Sequence, residues 1–173
     1  MIYKKFDNHL FYYIILYNIM AIKRLTNEYK QYLKDPNPYY SIEPDENDIF
    51  FWNVLLFGPP ETIFEGMILK CNLKFNSDYP NKPPEFKFIT IFPHPNIYTD
   101  GKVCISILHE GEDKYNYEHI SERWNPSHSV NSILMSIISI LPNPNFESPA
   151  NVDASIMWRN NWNEYKKIIY KLI

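Results

Sequence analysis

The chain has 173 residues, enough for one domain with a core of useful size, and 45% hydrophobic, 17% aromatic and 21% charged residues make a globular composition. With 17 Lys+Arg against 20 Asp+Glu the net charge is −3, so there is no general attraction to phosphate backbones or anionic membranes, and nucleic acid is not an expected partner. Two cysteines, Cys71 and Cys104, are too few for a disulfide framework and lack the C-x-x-C spacing of zinc sites; a reducing compartment fits them.

Residues 1–20, MIYKKFDNHLFYYIILYNIM, are expected to be an N-terminal extension and residues 21–173 the domain. Lys4 and Lys5 ahead of the apolar run at 10–19 imitate a secretory signal, yet no A-x-A cleavage site follows. The run is shorter than the roughly 20 residues needed to span a bilayer. It reads first as a dispensable or mis-assigned addition, since Met20-Ala21 resembles a natural start, second as a membrane-surface helix, and last as a true signal.

Over 21–34 the apolar positions Ile22, Leu25, Tyr29 and Leu33 recur every three or four residues and leave Lys23, Arg24, Lys30 and Lys34 largely outside, which predicts an amphipathic helix. Asp35-Pro36 ends it, and a Pro-rich, acidic connection follows through Asp45, Glu46 and Asp48. Strand candidates lie at 49–57, 67–75 and 85–90, separated by GPP at 58–60 and YPNKPP at 79–84, the spacing of an antiparallel meander. In the second of these Met67, Leu69, Cys71, Leu73 and Phe75 alternate with polar or exposed neighbours, so Cys71 reads as a small core hydrophobe.

Residues 110–122 are acidic and without hydrophobic period: Glu110, Glu112, Asp113, Glu118 and Glu122 outweigh Lys114, which reads as a solvated loop. Val130, Ile133, Leu134, Ile137, Ile138 and Leu141 then fit a helix at every step, with Ser129 as N-cap; its nearly all-apolar stripe makes it the central helix, covered by the sheet. Proline breaks at 142, 144 and 149 lead to two shorter helices at 152–158 and 162–172. Helix, strands, then helices, without alternating crossovers or repeats, is an α+β class.

The stretch HPNIYTDGKVCISIL at 94–108 carries the chemistry. Pro93 and Pro95 forbid a regular ladder around His94, Asn96 can bond its own backbone neighbours, and Asp100-Gly101 permits a tight reversal. Cys104 then stands at a groove edge beside apolar anchors. A hydrolase would need a histidine base; His94 sits in a Pro-locked turn, while His109, His119 and His128 lie in or near the polar loop. Cys104, His94 and His109 are spaced too loosely for zinc, so no metal and no cofactor is expected.

His94-Pro95-Asn96 followed at this spacing by Cys104, Trp124-x-Pro126 and the apolar helix at 130–141 resembles the ubiquitin-conjugating enzymes, as do YP-x-x-PP at 79–84 and GPP-x-x-x-x-EG at 58–66. The long acidic segment between Cys104 and Trp124, with SPANVDAS at 148–155, resembles the G-type branch. The resemblance implies the ubiquitin-conjugating fold: an N-terminal helix, a four-stranded antiparallel meander, a central helix and two C-terminal helices.

It further implies that Cys104 takes ubiquitin as a thioester from the activating enzyme and passes it to a substrate lysine amine, usually with a RING-type ligase. Exchange between thioesters is nearly isoenergetic, so no strong local base is required. On the same resemblance Asn96 stabilises the oxyanion or holds the adjacent loop, and His94 and Pro95 build the turn. His109, Glu112 and Asp113 shape the cysteine's surroundings, and Ser148 gates the incoming lysine. Lys23, Arg24, Asn81, Lys82, Pro126 and Ser127 fall on partner-binding faces, Asn81 where many members carry an exposed apolar side chain. A cytoplasmic location, the endoplasmic reticulum surface included, follows, and with no apolar tail before Ile173 no transmembrane anchor is expected. Two other readings stay open: a non-catalytic ubiquitin-binding adaptor of this fold, and conjugation of a different ubiquitin-like modifier.

Overall fold

A computed structural model describes residues 8–113 and 118–172, with side chains from Leu16 onward. Lys4 and Lys5 of the extension and Lys114 of the acidic loop therefore lie outside the described residues. The chain opens on α1 (Asn8–Lys34), one helix that starts thirteen positions before the amphipathic pattern at 21–34 and runs through 20 and 21 without a break. No helix among the described residues is long and apolar enough to cross a membrane.

The buried stripe of α1 is offset from the one read in the sequence. Ala21 and Leu25 are fully buried and Tyr29 and Tyr32 pack on the core, whereas Ile22 and Leu33 are exposed. What turns the helix is Glu28, which shares the inward face and finds three hydrogen-bond donors there. A periodicity count that treats carboxylates as outward cannot see this.

Four strands follow in a simple meander: β1 (Tyr40–Pro44), β2 (Phe51–Phe57), β3 (Ile68–Lys74) and β4 (Glu85–Phe88), antiparallel and in chain order across the sheet. β1 lies in what the sequence reads as a connection; it is a short edge strand with Pro at its end, where a missing N–H does no harm. Its register, Ile42 opposite Val54, and the next, Val54 opposite Cys71, put Tyr40, Ile42, Trp52, Val54, Leu56, Leu69, Cys71 and Leu73 on one buried face. Cys71 is buried as its alternation predicts, and desolvation pushes its thiol far above the ordinary range.

The central helix α2 (Val130–Ile140) joins the same core through Val130, Ile133, Leu134, Ile137 and Ile138. Ser129 caps it in a reciprocal box with Ser132. Two short helices, α3 (Val152–Asn160) and α4 (Trp162–Tyr170), close the chain and add Trp158, Trp162 and Tyr165, whose rings meet at centroid distances of 4.6–5.6 Å. Between β4 and α2 the chain crosses the domain as loops with two single 3-10 turns, Ser106–Leu108 and Ile120–Glu122. These loops hold the site.

Candidate active site

The His94-Pro95-Asn96 turn is a staple. His94 is fully buried; Nδ1 accepts from the Asn96 N–H at 3.1 Å, and Nε2–H on the far side of the ring donates to the Leu141 carbonyl at 3.2 Å. Burial lowers its pKa to about 4, so the ring is neutral. The Pro95 carbonyl takes the Asn151 N–H at 3.0 Å. The Asn96 side chain bonds the backbone of Asn145 in both directions, its amide donating to the carbonyl at 2.8 Å and its oxygen accepting from the N–H at 2.8 Å. Three consecutive residues thus pin the segment from Leu141 to Asn151, which carries Ser148.

Cys104 hangs from the same turn, its N–H donating to the Asn96 carbonyl at 3.0 Å. The reversal before it needs glycine: Gly101 has φ +89°, and a Cβ there would lie 2.1 Å from the Phe88 carbonyl oxygen. Val103, Ile105 and Ile107 are buried, while Cys104 between them is only half-buried. It forms the ridge between two clefts. One, of about 630 Å³, runs by Pro83, Tyr98 and Lys102; the other, of about 640 Å³, by Asn96, Asp113 and Ser148.

The sequence reading asks for no base here but expects His109 to shape the thiol's surroundings, and the structure brings that ring to the sulfur. Nε2 of His109 lies 3.6 Å from Sγ, and Nδ1 of the same ring faces both Glu118 carboxylate oxygens at 2.9 and 3.0 Å. The Ser106 hydroxyl donates to Glu118 at 2.9 Å and the Arg123 guanidinium pairs with it from the other side. Arg123, 9% exposed, is fixed in turn by the carbonyls of Glu110 at 2.9 Å and Gly111 at 2.7 Å.

The electrostatics follow from this chain of contacts. The bond to His109 lowers the Cys104 pKa, against the cost of burial and with help from the Tyr98 hydroxyl. The bond to Cys104, opposed by burial and assisted by Glu118, raises His109 to about 9. Glu118, against partial burial, is held below its ordinary value by His109 and Ser106. Thiolate and imidazolium favour each other.

The solvated-loop reading of 110–122 therefore holds for only part of it. Glu110 and Glu112 are exposed, and Glu112 is not brought to the thiol; Asp113 lines the second cleft and accepts the Glu118 N–H at 3.1 Å. Glu118, Ser106 and Arg123 are neighbours of the thiol and imidazole that the sequence reading did not single out as site residues. No pattern in the sequence marks them, because the pairing of Arg123 with Glu118 depends on how the loop folds back. Among the described residues no cluster of His, Cys, Asp and Glu could hold a metal ion.

The model of the family described as ubiquitin-conjugating enzyme matches residues 24–173. This chain belongs to that family. It is 55% identical over 130 residues to a probable ubiquitin-conjugating enzyme E2 7 of Caenorhabditis elegans, covering 75% of this chain and 79% of that one. It is 48% identical to the E2-18 kDa enzyme of Schizosaccharomyces pombe (88% and 93% covered) and 46% identical to human E2 G2 (88% and 94% covered), which is similarity to the G-type branch. As a ubiquitin-conjugating enzyme it is a transferase that works with ubiquitin, an activating enzyme and ligases. Of its two cysteines, Cys71 is sealed in the sheet, and the half-buried Cys104 is consistent with the thioester chemistry.

The expected partner residues of this ubiquitin-conjugating enzyme gather at one end, but not all face outward. Lys23, Asn81, Lys82, Pro126 and Ser127 are exposed, with Lys82 3.5 Å from Asp78. Arg24 is used internally. Its guanidinium pairs with Glu28 at 2.5 Å and donates to the carbonyls of Pro126 at 3.2 Å and His128 at 2.7 Å, clamping α1 to the 126–128 loop. The Trp124 indole N–H donates to the Pro80 carbonyl at 2.8 Å and so joins that loop to the one bearing Asn81 and Lys82.

Proposed function

We propose that Cys104 is the residue that takes ubiquitin as a thioester and that residues 21–173 form the catalytic domain around it. The observation that carries this reading is a half-buried thiol on the ridge between two clefts, 3.6 Å from an imidazole whose other nitrogen is bonded to a carboxylate. The Cys104 thiolate attacks the carbonyl carbon of the activating enzyme's thioester, and the tetrahedral intermediate collapses with that enzyme's cysteine leaving as thiolate. One thioester breaks as another forms, so little driving force is needed.

In the second step a lysine amine attacks the Cys104 thioester, gives up a proton and expels the Cys104 sulfur. Once the thiolate is consumed in the thioester, His109 loses the bond that chiefly raised it and gives its proton to solvent; the neutral ring can then take the amine's proton, and Glu118 stabilises the imidazolium that results. Asn96 fixes the loop through Asn145, and the second amide hydrogen of its side chain remains to meet the oxyanion. Asp113 and Ser148 line the cleft the lysine enters. Lys23, Asn81, Lys82, Pro126 and Ser127 meet the activating enzyme and a RING-type ligase, with Arg24 and His94 acting as internal fasteners; the location is cytoplasmic.

Incubation with activating enzyme, ATP and ubiquitin tests this. A reductant-sensitive adduct of one ubiquitin forms on the wild type and is absent from Cys104→Ala. An adduct that survives in Cys104→Ala, or none on the wild type, overturns the assignment. Charging with another ubiquitin-like modifier and not with ubiquitin replaces the donor.

A further inference from the structure

The helix α1 changes character along its length. From Lys23 onward its exposed positions are Lys23, Asn27, Lys30, Gln31 and Lys34, with Leu33 the apolar exception. Before Lys23 the exposed described positions are Leu16, Tyr17, Ile19, Met20 and Ile22, with Ile19 56% and Met20 57% exposed. At 3.6 residues per turn these five cover roughly 220° of the helix circumference. Ala21, fully buried, and half-buried Asn18 occupy what is left, toward the domain. No Asp, Glu, Lys or Arg occurs between Asp7 and Lys23.

A soluble helix that leaves its domain has no reason to present isoleucine and methionine outward, and a protein groove covers only one side of a helix. An arc of this width is matched by a lipid phase, which covers every exposed side. Residues 8–22 rise roughly 22 Å at 1.5 Å per residue, too short to cross a hydrocarbon core of about 30 Å, and charges at both ends keep such a segment along the interface. The charge pattern fits the same surface. The chain as a whole stands at −3, but its first 24 residues carry Lys4, Lys5, Lys23 and Arg24 against Asp7 alone. Cations at both ends of an apolar run match an anionic headgroup layer.

We propose that the first half of α1 lies in the boundary between headgroups and acyl chains of an anionic membrane and holds the folded domain there through an unbroken helix. Tyr17 shares a shallow cleft with Asn81, Lys82 and Glu110, so this part of the helix leaves the domain beside the 78–82 loop and brings that end to the lipid. The inference stands on exposure and charge and does not depend on the chemistry of Cys104.

Flotation of the full chain with phosphatidylcholine vesicles, with and without phosphatidylserine, tests it. The wild type floats with the anionic vesicles, more at low salt than at high. In Ile19→Glu/Met20→Glu, whose side chains touch solvent and whose thermal midpoint stays put, the floating fraction drops about tenfold or more. No flotation of the wild type, or equal flotation of the variant, overturns the proposal. So does a wild type that sediments as a dimer in lipid-free buffer and becomes monomeric in the variant, which would make this face an interface between two copies of the chain.

Discussion

Glu118 grips Nδ1 of His109 between its two carboxylate oxygens, at 2.9 and 3.0 Å, and so aims the opposite ring nitrogen at the Cys104 sulfur. The contact ties a residue of the acidic segment to the nucleophile through one imidazole. It also shifts the thiol toward its thiolate form, because the bond to the imidazolium lowers the Cys104 pKa.

The first prediction is a pH profile. Cys104 is lowered chiefly by its bond to His109, so falling pH protonates the sulfur only below the ordinary thiol value of about 8.5. Alkylation by iodoacetamide, followed by mass spectrometry, has its midpoint below that value in the wild type. In His109→Ala the midpoint moves up; in Glu118→Gln two effects oppose, loss of the carboxylate's repulsion of the thiolate lowering the midpoint and loss of its hold on the imidazolium raising it, so the shift is smaller than in His109→Ala. A midpoint higher by one on the pH scale means about a tenfold drop in thiolate at a pH below both midpoints. Cys71, buried with its thiol pushed up, stays silent and serves as internal control. Identical profiles in all three proteins would separate His109 from the nucleophile.

Asn96 tests separately. Its two bonds to Asn145 organise the loop, while its remaining hydrogen is the one free to meet an oxyanion. Asn96→Asp keeps the acceptor toward the Asn145 N–H but donates nothing and sets an oxygen against the Asn145 carbonyl, so its thermal midpoint is compared with that of Asn96→Ala. Discharge of the ubiquitin thioester to free lysine falls by about 10² to 10³ in both Asn96→Asp and Asn96→Ala if the donor matters. A loss in Asn96→Ala alone assigns the residue to the loop, and unchanged discharge in both removes it from the mechanism. Charging by the activating enzyme is the control.

How far the site could be read in advance differs from residue to residue. Cys71 and Cys104 separate on alternation and turn chemistry alone: one sits in a strict period of two, the other follows Asp100-Gly101. The central helix is legible because every step of its stripe is apolar. β1 is not, since five residues ending in Pro44 and preceded by two further prolines look like a linker until a partner strand supplies the ladder. The face of α1 is misread for the same reason that Glu118 is missed. A carboxylate counts as outward in any pattern, and only the long-range donors, Tyr79 and Val130 for Glu28, Ser106 and His109 for Glu118, turn it inward. Arg24 shows the converse: it stands at a position matched to partner binding and spends its donors on the chain's own carbonyls.

Glu28 carries the third prediction. Its side chain, 8% exposed, accepts from the Tyr79 hydroxyl at 2.6 Å, Arg24 at 2.5 Å and the Val130 N–H at 2.6 Å, so one carboxylate joins α1, the loop before β4 and the start of α2. Glu28→Ala leaves a helix N–H, a buried phenol and the Nε–H of Arg24 unmatched, and costs about 2 to 4 kcal/mol in urea unfolding. Glu28→Gln, which keeps the acceptor oxygen, costs less. Equal small losses in both would mean that water replaces the carboxylate.

The fourth prediction concerns His94, whose neutral ring is built into the staple. Burial lowers its folded pKa to about 4, while in the unfolded chain it titrates near 6.5. Between those values the unfolded state binds the extra proton. Its contribution to stability is therefore complete above about pH 6.5 and is lost as pH falls toward 4, at up to about 1.4 kcal/mol per pH unit. The urea midpoint at pH 5 lies below that at pH 7 in the wild type, with the slope of the transition unchanged. In His94→Gln, whose amide can still donate to the Leu141 carbonyl and accept from the Asn96 N–H, the protein is weaker at pH 7 but the gap between the two pH values narrows. An equal gap in both proteins would place the acid sensitivity elsewhere in the fold.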